Sequence, residues 1–206
     1  MEEWGDVVVK YFRIMTITNC AKKYGSFLND YEPYQEIRDF RNIGEKFSSF
    51  SNTPIIFERD KSYKNDEPIS DFLLNDWGEL IVSDKIYNML KDKYSDELDF
   101  YECFIRDDDV ILQYHILRRK NKLDVLARDL YPKIEPPLGV LKTIVIDDIP
   151  EVYNIFDVYL GARNVISERL YKDLKALNPT NFEVSRIFTR SEHLNAKEKL
   201  AKKDNK

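Results

Sequence analysis

Two short runs of aspartate come nearest, by residue type and spacing, to a chemical site. Asp107, Asp108 and Asp109 follow one apolar run, and Asp147 and Asp148 follow another. A hard divalent cation prefers several carboxylate oxygens, so these turns could support a metal-dependent hydrolase. Acids in tight turns more commonly bond local backbone groups or face solvent, and no histidine or phosphate-binding motif accompanies these. We therefore predict no metal and no cofactor, and keep the hydrolase as an alternative.

Other reactive groups are few. The sequence has no Gly-rich phosphate loop, no HExxH, no GxSxG and no paired cysteine ligands. His115 lies in a predicted strand and is interpreted as a sheet residue, whereas His193 lies in a charged C-terminal stretch; neither has an acidic orienter at a fixed spacing. Cys20 and Cys103 are interpreted as packing residues. These observations predict that the protein is not an enzyme.

Composition indicates a folded chain that binds other proteins. The chain has 206 residues, with 43% hydrophobic and 33% charged residues, and it carries 13 Tyr and 12 Phe. Tyrosine is enriched at interfaces, which favours a binding role. A net charge of −5 argues against nucleic-acid or anionic-membrane partners and favours a basic one. No signal peptide or membrane span is recognisable, so we expect a cytoplasmic protein.

The stretch from Pro68 to Leu90 contains a segment that recurs later. Residues 80–87 read Leu-Ile-Val-Ser-Asp-Lys-Ile-Tyr, and residues 164–171 read Asn-Val-Ile-Ser-Glu-Arg-Leu-Tyr. Each copy starts with a β-branched run that favours a strand. It continues with a serine suited to N-cap a helix, and then an acid in the first helical turn. Because an aromatic and β-branched run follows each helix, we predict two related strand–serine–helix–strand units.

Further elements are predicted around these units. Strands are predicted at residues 7–14 (extending to 17), 55–57, 110–117 and 140–146, with another apolar segment at 152–160. The connector 107–109 predicts a β-hairpin. A basic turn is predicted at 118–122 and a weak helix at 34–43, while 123–130 fits helical spacing and alternation equally. Prolines at 132, 136 and 137 mark a break, and the stretch from Ser191 is predicted to fray at its end.

Together these elements predict an α+β fold in which mixed or antiparallel sheets and helices surround the two units. Three consecutive segments are expected. Residues 1–67 hold N-terminal strands and a long loop region, 68–190 an α+β region with the repeated units, and 191–206 a charged tail.

Six apolar motifs follow one another in order in this region. They are Pro68-Ile69-Ser70-Asp71-Phe72-Leu73, Leu80-Ile81-Val82-Ser83, Tyr114-His115-Ile116-Leu117 with Leu123-Asp124, Ile144-Val145-Ile146-Asp147, Ile155-Phe156-Asp157 and Val165-Ile166-Ser167-Glu168-Arg169-Leu170. In this order the sequence resembles the bacterial immunity protein family numbered eleven, formerly a domain of unknown function, which is found beside polymorphic and contact-dependent toxins. The resemblance covers about residues 68–188.

The resemblance implies an α+β protein without catalytic activity that binds a cognate protein toxin and neutralises it stoichiometrically. An acidic surface would complement a basic toxin, such as a nuclease-type domain, and speed association. The predicted partner-binding residues are Asp107, Asp108, Asp109, Asp147, Asp148 and Glu151. Two alternatives stay open: an adaptor or regulatory protein-binding module of a mobile element, and the hydrolase built on the aspartate turns.

Overall fold

The computed structural model describes residues 10–15, 26–28, 54–62, 68–75, 79–131 and 142–204. These ranges contain three α-helices and twelve β-strands in two mixed sheets, which confirms the predicted α+β class. The chain forms two compact units. Unit 1 comprises Met1–Ile14, Arg119–Asp173 and Val184–Lys206, and unit 2 comprises Met15–Arg118 and Leu174–Glu183. The units alternate along the chain, whereas the sequence predicts three consecutive segments.

The sheet of unit 2 has the strand order β2-β3-β6-β7-β5-β4. Its strands are β2 (Phe27–Leu28), β3 (Ile56–Arg59), β4 (Phe72–Leu73), β5 (Leu80–Ser83), β6 (Leu98–Asp107) and β7 (Val110–Arg119). Helix α1 (Asp84–Tyr94) connects β5 to β6 and buries Ile86, Leu90 and Tyr94. That spacing of four residues places the three side chains on one face, and their burial fastens α1 to the sheet.

The second sheet has the strand order β8-β10-β11-β1-β12-β9. Its strands are β1 (Tyr11–Met15), β8 (Lys122–Leu123), β9 (Ile144–Val145), β10 (Ile155–Val158), β11 (Val165–Ser167) and β12 (Glu183–Thr189). Helix α2 (Glu168–Ala176) connects β11 to β12, α3 (Arg190–Asp204) follows β12, and Arg128–Leu130 form a 3-10 turn. Phe156, Val145 and Val165 are fully buried in its core.

The repeat predicted from the sequence is also a repeat of sheet topology. In each sheet the strands of the strand–helix–strand unit flank one intervening strand, which is β7 between β5 and β6 and β1 between β11 and β12. The intervening strand is antiparallel to β5 or β11. The next strands outward also match: β4 and β10 are antiparallel to their neighbours, and β3 and β9 are parallel to theirs. Five adjacent strand positions therefore correspond.

The two repeats also share a hydrogen-bond pattern around the predicted capping serines. The Ser83 N–H donates to the Asp71 carbonyl at 3.0 Å, and the Ser83 hydroxyl donates to the Asp71 carboxylate at 2.6 Å. Ser167 makes the same two contacts with Asn154, at 2.9 and 3.0 Å. The predicted N-cap is confirmed for Ser167, whose hydroxyl accepts from the Leu170 N–H. Ser83 also occupies the N-cap position of its helix, α1, but its side chain makes no cap hydrogen bond there.

The intervening strands carry matching aromatic residues. Tyr114 pairs with Ser83, and Tyr11 pairs with Ser167. Each tyrosine is buried and donates its hydroxyl to a backbone carbonyl, of Ser70 and of Ile149 respectively. One residue further along, His115 stacks on Tyr87 of α1 at a centroid distance of 3.6 Å. In unit 1, Phe12 stacks on Tyr171 of α2 at 4.5 Å.

Several other predictions are decided by the strand boundaries. The hairpin around 107–109 is confirmed, because β6 ends at Asp107 and β7 begins at Val110. The basic turn predicted at 118–122 is confirmed only for Lys120 and Asn121, which lie between β7 and β8. Arg118 and Arg119 belong to β7, and Asp157 is the bidentate partner of a buried Arg119. Most of the segment 123–130 is irregular, and only its last three residues form a short 3-10 turn. The C-terminal stretch forms α3. The predicted helix at 34–43 and the proline-rich break lie outside the described residues.

Candidate protein-binding surface

The first three predicted acids lie in the hairpin between β6 and β7 and have two different roles. Both carboxylate oxygens of Asp107 accept from Arg59 of β3, each at 2.7 Å. This bidentate pair is partly buried and ties β6 to β3 beside their parallel ladder. Asp107 therefore stabilises the sheet, and its charge is compensated within the fold.

Asp108 and Asp109 form the turn itself and are exposed. Asp108 has a φ of 52°, a left-handed conformation that aspartate tolerates better than most residues. Within the described parts of the chain, neither carboxylate has an ion-pair partner. The tip of the hairpin therefore presents two negative charges to solvent.

An exposed apolar run begins directly after these acids. Val110 is 53% exposed, Ile111 60% and Leu112 38%. Successive strand residues point to opposite faces, so both faces of this part of β7 are open to solvent. Three neighbouring apolar side chains beside two free carboxylates make a combined acidic and apolar surface, which we call the hairpin tip (residues 108–113).

The second group of predicted acids lies in the loop between β9 and β10 of unit 1. Asp147 is bound by the backbone N–H and the hydroxyl of Ser191, at 3.0 and 2.9 Å. Burial alone would raise its pKa, but the bonds from Ser191 and Thr189 and nearby Arg190 hold the pKa of Asp147 below its usual value. Asp147 thus anchors the start of α3, where a negative charge also suits the helix dipole.

Asp148 and Glu151 of the same loop are exposed. Two exposed apolar residues flank them, Ile146 at 36% and Val152 at 69%. We call residues 146–152 the unit 1 loop. Like the hairpin tip, it combines exposed acids with exposed apolar side chains.

His115 and Cys103, two of the potentially reactive residues in the sequence, are both buried in the fold. His115 is buried in β7, as predicted, but it does have an acidic neighbour: its Nε2 lies 2.6 Å from Asp84 Oδ1 at the start of α1. This partner could not be predicted from residue spacing, because Asp84 lies 31 positions away along the chain. Only 7% of the His115 side chain is exposed, which leaves little access for a substrate. Burial raises the pKa of the Cys103 thiol, in agreement with a packing residue; Cys20 lies outside the described residues.

Sequence reasoning missed a polar cluster around Asp71. Its Oδ1 accepts from Ser83, while its Oδ2 accepts from Lys85 Nζ at 2.7 Å and from the Thr180 N–H at 2.9 Å. Burial would raise the pKa of Asp71, but the hydrogen bonds from Lys85, Ser83 and Thr180 outweigh it and lower the pKa. Asp71 and Asn154 each precede their serine by 12 or 13 positions. This similar spacing before each serine is the sequence feature from which the cluster could have been predicted.

Among the described residues, no group of three or more His, Cys, Asp or Glu side chains is arranged to hold a metal ion. The two aspartate runs belong to different units, and one member of each run is already engaged, by Arg59 and by Ser191. In the same described ranges, no helix is long and apolar enough to span a membrane.

Comparison with known proteins yields no family model that matches the chain and no curated protein with significant similarity to it.

Proposed function

We propose that this chain is an immunity-type protein that binds a cognate bacterial toxin in the cytoplasm and neutralises it stoichiometrically, without catalysis. The proposal rests on the ordered motifs of the sequence and on one structural observation. That observation is the coincidence of exposed acids with exposed apolar side chains on the same two surface segments.

The coincidence covers most of the exposed large apolar side chains in the described part of the chain. Seven large apolar side chains are exposed among the described residues. Five of them lie within three positions of a predicted binding acid, namely Val110, Ile111, Leu112, Ile146 and Val152. Contiguous apolar exposure supports a protein interaction site, since isolated apolar side chains need no explanation but clusters do.

The charges on these segments favour a basic toxin domain. Asp108, Asp109, Asp148 and Glu151 are exposed, and the chain as a whole carries a net charge of −5. Complementary charges raise the association rate of two proteins and penalise partners of the same sign. Apolar contacts beside the acids would then slow dissociation, which is where most of the affinity of related complexes is tuned.

The proposal is tested by titrating the purified protein with the toxin domain encoded beside its gene, and by growth of cells that express this domain. We expect a Kd of about 1 nM or tighter and restored growth when the protein is co-expressed. The double variant Asp108→Asn/Asp109→Asn should associate about threefold to tenfold more slowly at low salt and show a weaker dependence on salt.

A matched control is available in unit 2. Asp92→Asn/Asp96→Asn removes the same charge from exposed positions that have no apolar neighbours of this kind. An equal slowing in both double variants would show that net charge alone matters and that the hairpin tip is not the contact. Absence of both binding and rescue would refute the toxin assignment and favour the adaptor alternative.

A further inference from the structure

Strand β7 extends beyond the strand that pairs with it. The β5 partners of β7 are Leu117, Ile116, His115 and Tyr114, which pair with Leu80 to Ser83. The chain then turns into α1 at Asp84, so β5 ends there. Residues 110–113 of β7 therefore have β6 on one side and, within the described chain, no strand on the other.

The backbone groups that face this open side can be identified from the ladder. The Ser83 N–H donates to the Asp71 carbonyl, on the β4 side of β5. Because backbone groups alternate in direction along a strand, those of Val82 face β7, where the partner is His115. Counting back from His115 in steps of two, the N–H and C=O groups of Gln113 and Ile111 face the open side. Those of Leu112 and Val110 face β6.

Among the residues that the structure describes, none of the usual protections against strand addition is found at this open edge. Proteins blunt exposed edges with proline, lysine, bulges or a covering segment. Residues 110–113 read Val-Ile-Leu-Gln, and all four side chains are exposed. Such an edge is a template for an additional strand, which gains affinity from main-chain hydrogen bonds and specificity from alternate side chains.

Charge decides which kind of strand fits. Asp108 and Asp109 lie at the start of this edge without a compensating cation among the described residues, since Arg59 is occupied by Asp107. A second copy of this chain paired on the same edge would bring like-charged turns near one another. A strand that carries lysine or arginine would instead complement them.

We infer that the edge of β7 at Val110–Gln113 is a docking site for a basic, extended segment of a protein partner, which adds as a strand beside β7. The inference deepens the proposed function, because it rests on the toxin being that partner. It assigns the contact to backbone groups of Ile111 and Gln113, with Asp108 and Asp109 selecting for positive charge.

The decisive variant is Ile111→Pro, with Ile111→Val as its matched control. Proline at position 111 removes the N–H that faces the open side and leaves the hydrogen bonds to β6 in place. An edge strand tolerates proline at such a position. Valine has a side chain of similar size and keeps the N–H. We expect the proline variant to bind the toxin domain about 30-fold or more weakly, and the valine variant to stay within about fivefold of the parent. Circular dichroism and thermal melting of both variants check that the fold is retained.

A second arm does not depend on the toxin. A short synthetic peptide that alternates lysine and valine is added to isotope-labelled protein, and amide hydrogen exchange is followed by NMR. Exchange of the Ile111 and Gln113 amides should slow by about tenfold or more at saturation, with little change at Val110 and Leu112. A peptide that alternates glutamate and valine should leave all four unchanged.

The outcomes separate the two proposals. Slowed exchange with the basic peptide but no binding of the toxin domain would refute the proposed function and leave the docking site standing. Toxin binding that Ile111→Pro does not weaken would refute the docking site alone. Unchanged exchange with the basic peptide, or a dimer of the free protein that Ile111→Pro dissociates, would likewise overturn the inference.

Discussion

Replacing Asp71 with asparagine tests whether the first repeat depends on a charge that the second repeat lacks. Asparagine keeps the shape of aspartate, and its oxygen can accept from Ser83 as Asn154 does from Ser167. The amide nitrogen would then occupy the position of Oδ2. That oxygen now accepts from Lys85 and from both the N–H and the hydroxyl of Thr180. The amide nitrogen is itself a donor, so it could not accept the hydrogen bonds that Lys85 and the Thr180 N–H donate at this position.

The expected loss of stability follows from these contacts. Each hydrogen bond to a charged group contributes about 1.5–3 kcal/mol, and a bond to an exposed lysine contributes less because solvent screens it. Lys85 is 45% exposed, whereas the Asp71 side chain is only 13% exposed. We therefore expect Asp71→Asn to lower the free energy of unfolding by about 2–4 kcal/mol at neutral pH. Urea unfolding followed by circular dichroism measures this, with Asp92→Asn on the exposed face of α1 as the control.

The pH dependence supplies a second readout with a defined sign. The folded state lowers the pKa of Asp71, so the unfolded state binds a proton more readily. The stabilisation is therefore present above the ordinary carboxyl pKa of about 3.9 and is lost as the pH falls from there through the folded-state value. The difference between parent and variant should shrink over that acidic window. A difference below about 0.5 kcal/mol at pH 7, or one that stays constant down to pH 3, would refute the reasoning.

Two further predictions concern unit 1. Gly161→Ala should destabilise the protein by about 1–3 kcal/mol in thermal or urea unfolding, because the added methyl would lie 2.9 Å from Val158 Cγ1 and 3.1 Å from Thr143 Cγ2; an unchanged midpoint would contradict this packing. Ser167→Ala should cost about 1 kcal/mol, since it removes the N-cap of α2 and the bond to Asn154. Ser83→Ala provides the comparison, because Ser83 makes no such cap. If the two substitutions changed amide hydrogen exchange in the first turns of α2 and α1 by equal amounts, the distinction between the two serines would be refuted.

Local sequence was sufficient to predict the elements with strong periodic patterns. The β-branched run, the acid after the serine and the apolar spacing of four predicted α1 and α2 together with the strands before and after them. The aspartate connector likewise predicted the β6–β7 hairpin. These patterns depend on neighbouring residues alone.

The roles of the predicted acids could not be read in the same way. Asp107 and Asp147 resemble Asp108 and Asp148 in sequence, yet the first two bond to Arg59 and Ser191, which are 48 and 44 positions away. The sequence predicts a basic turn at Arg119, but this side chain is buried against Asp157. A charge is stabilised by partners that the fold brings to it, and those partners are distant along the chain.

By itself, the sequence determined the class of the fold and the existence of two related strand–helix–strand units, because both follow from periodicity and capping residues. Only the tertiary structure showed that a further strand lies between the two strands of each strand–helix–strand unit. These two further strands come from different parts of the chain. β1 comes from the start of the chain, while β7 follows β6 directly. Pairing between strands that are distant along the chain does not follow from neighbouring residues, so the insertion of β1 and the open edge of β7 are seen only in the folded structure.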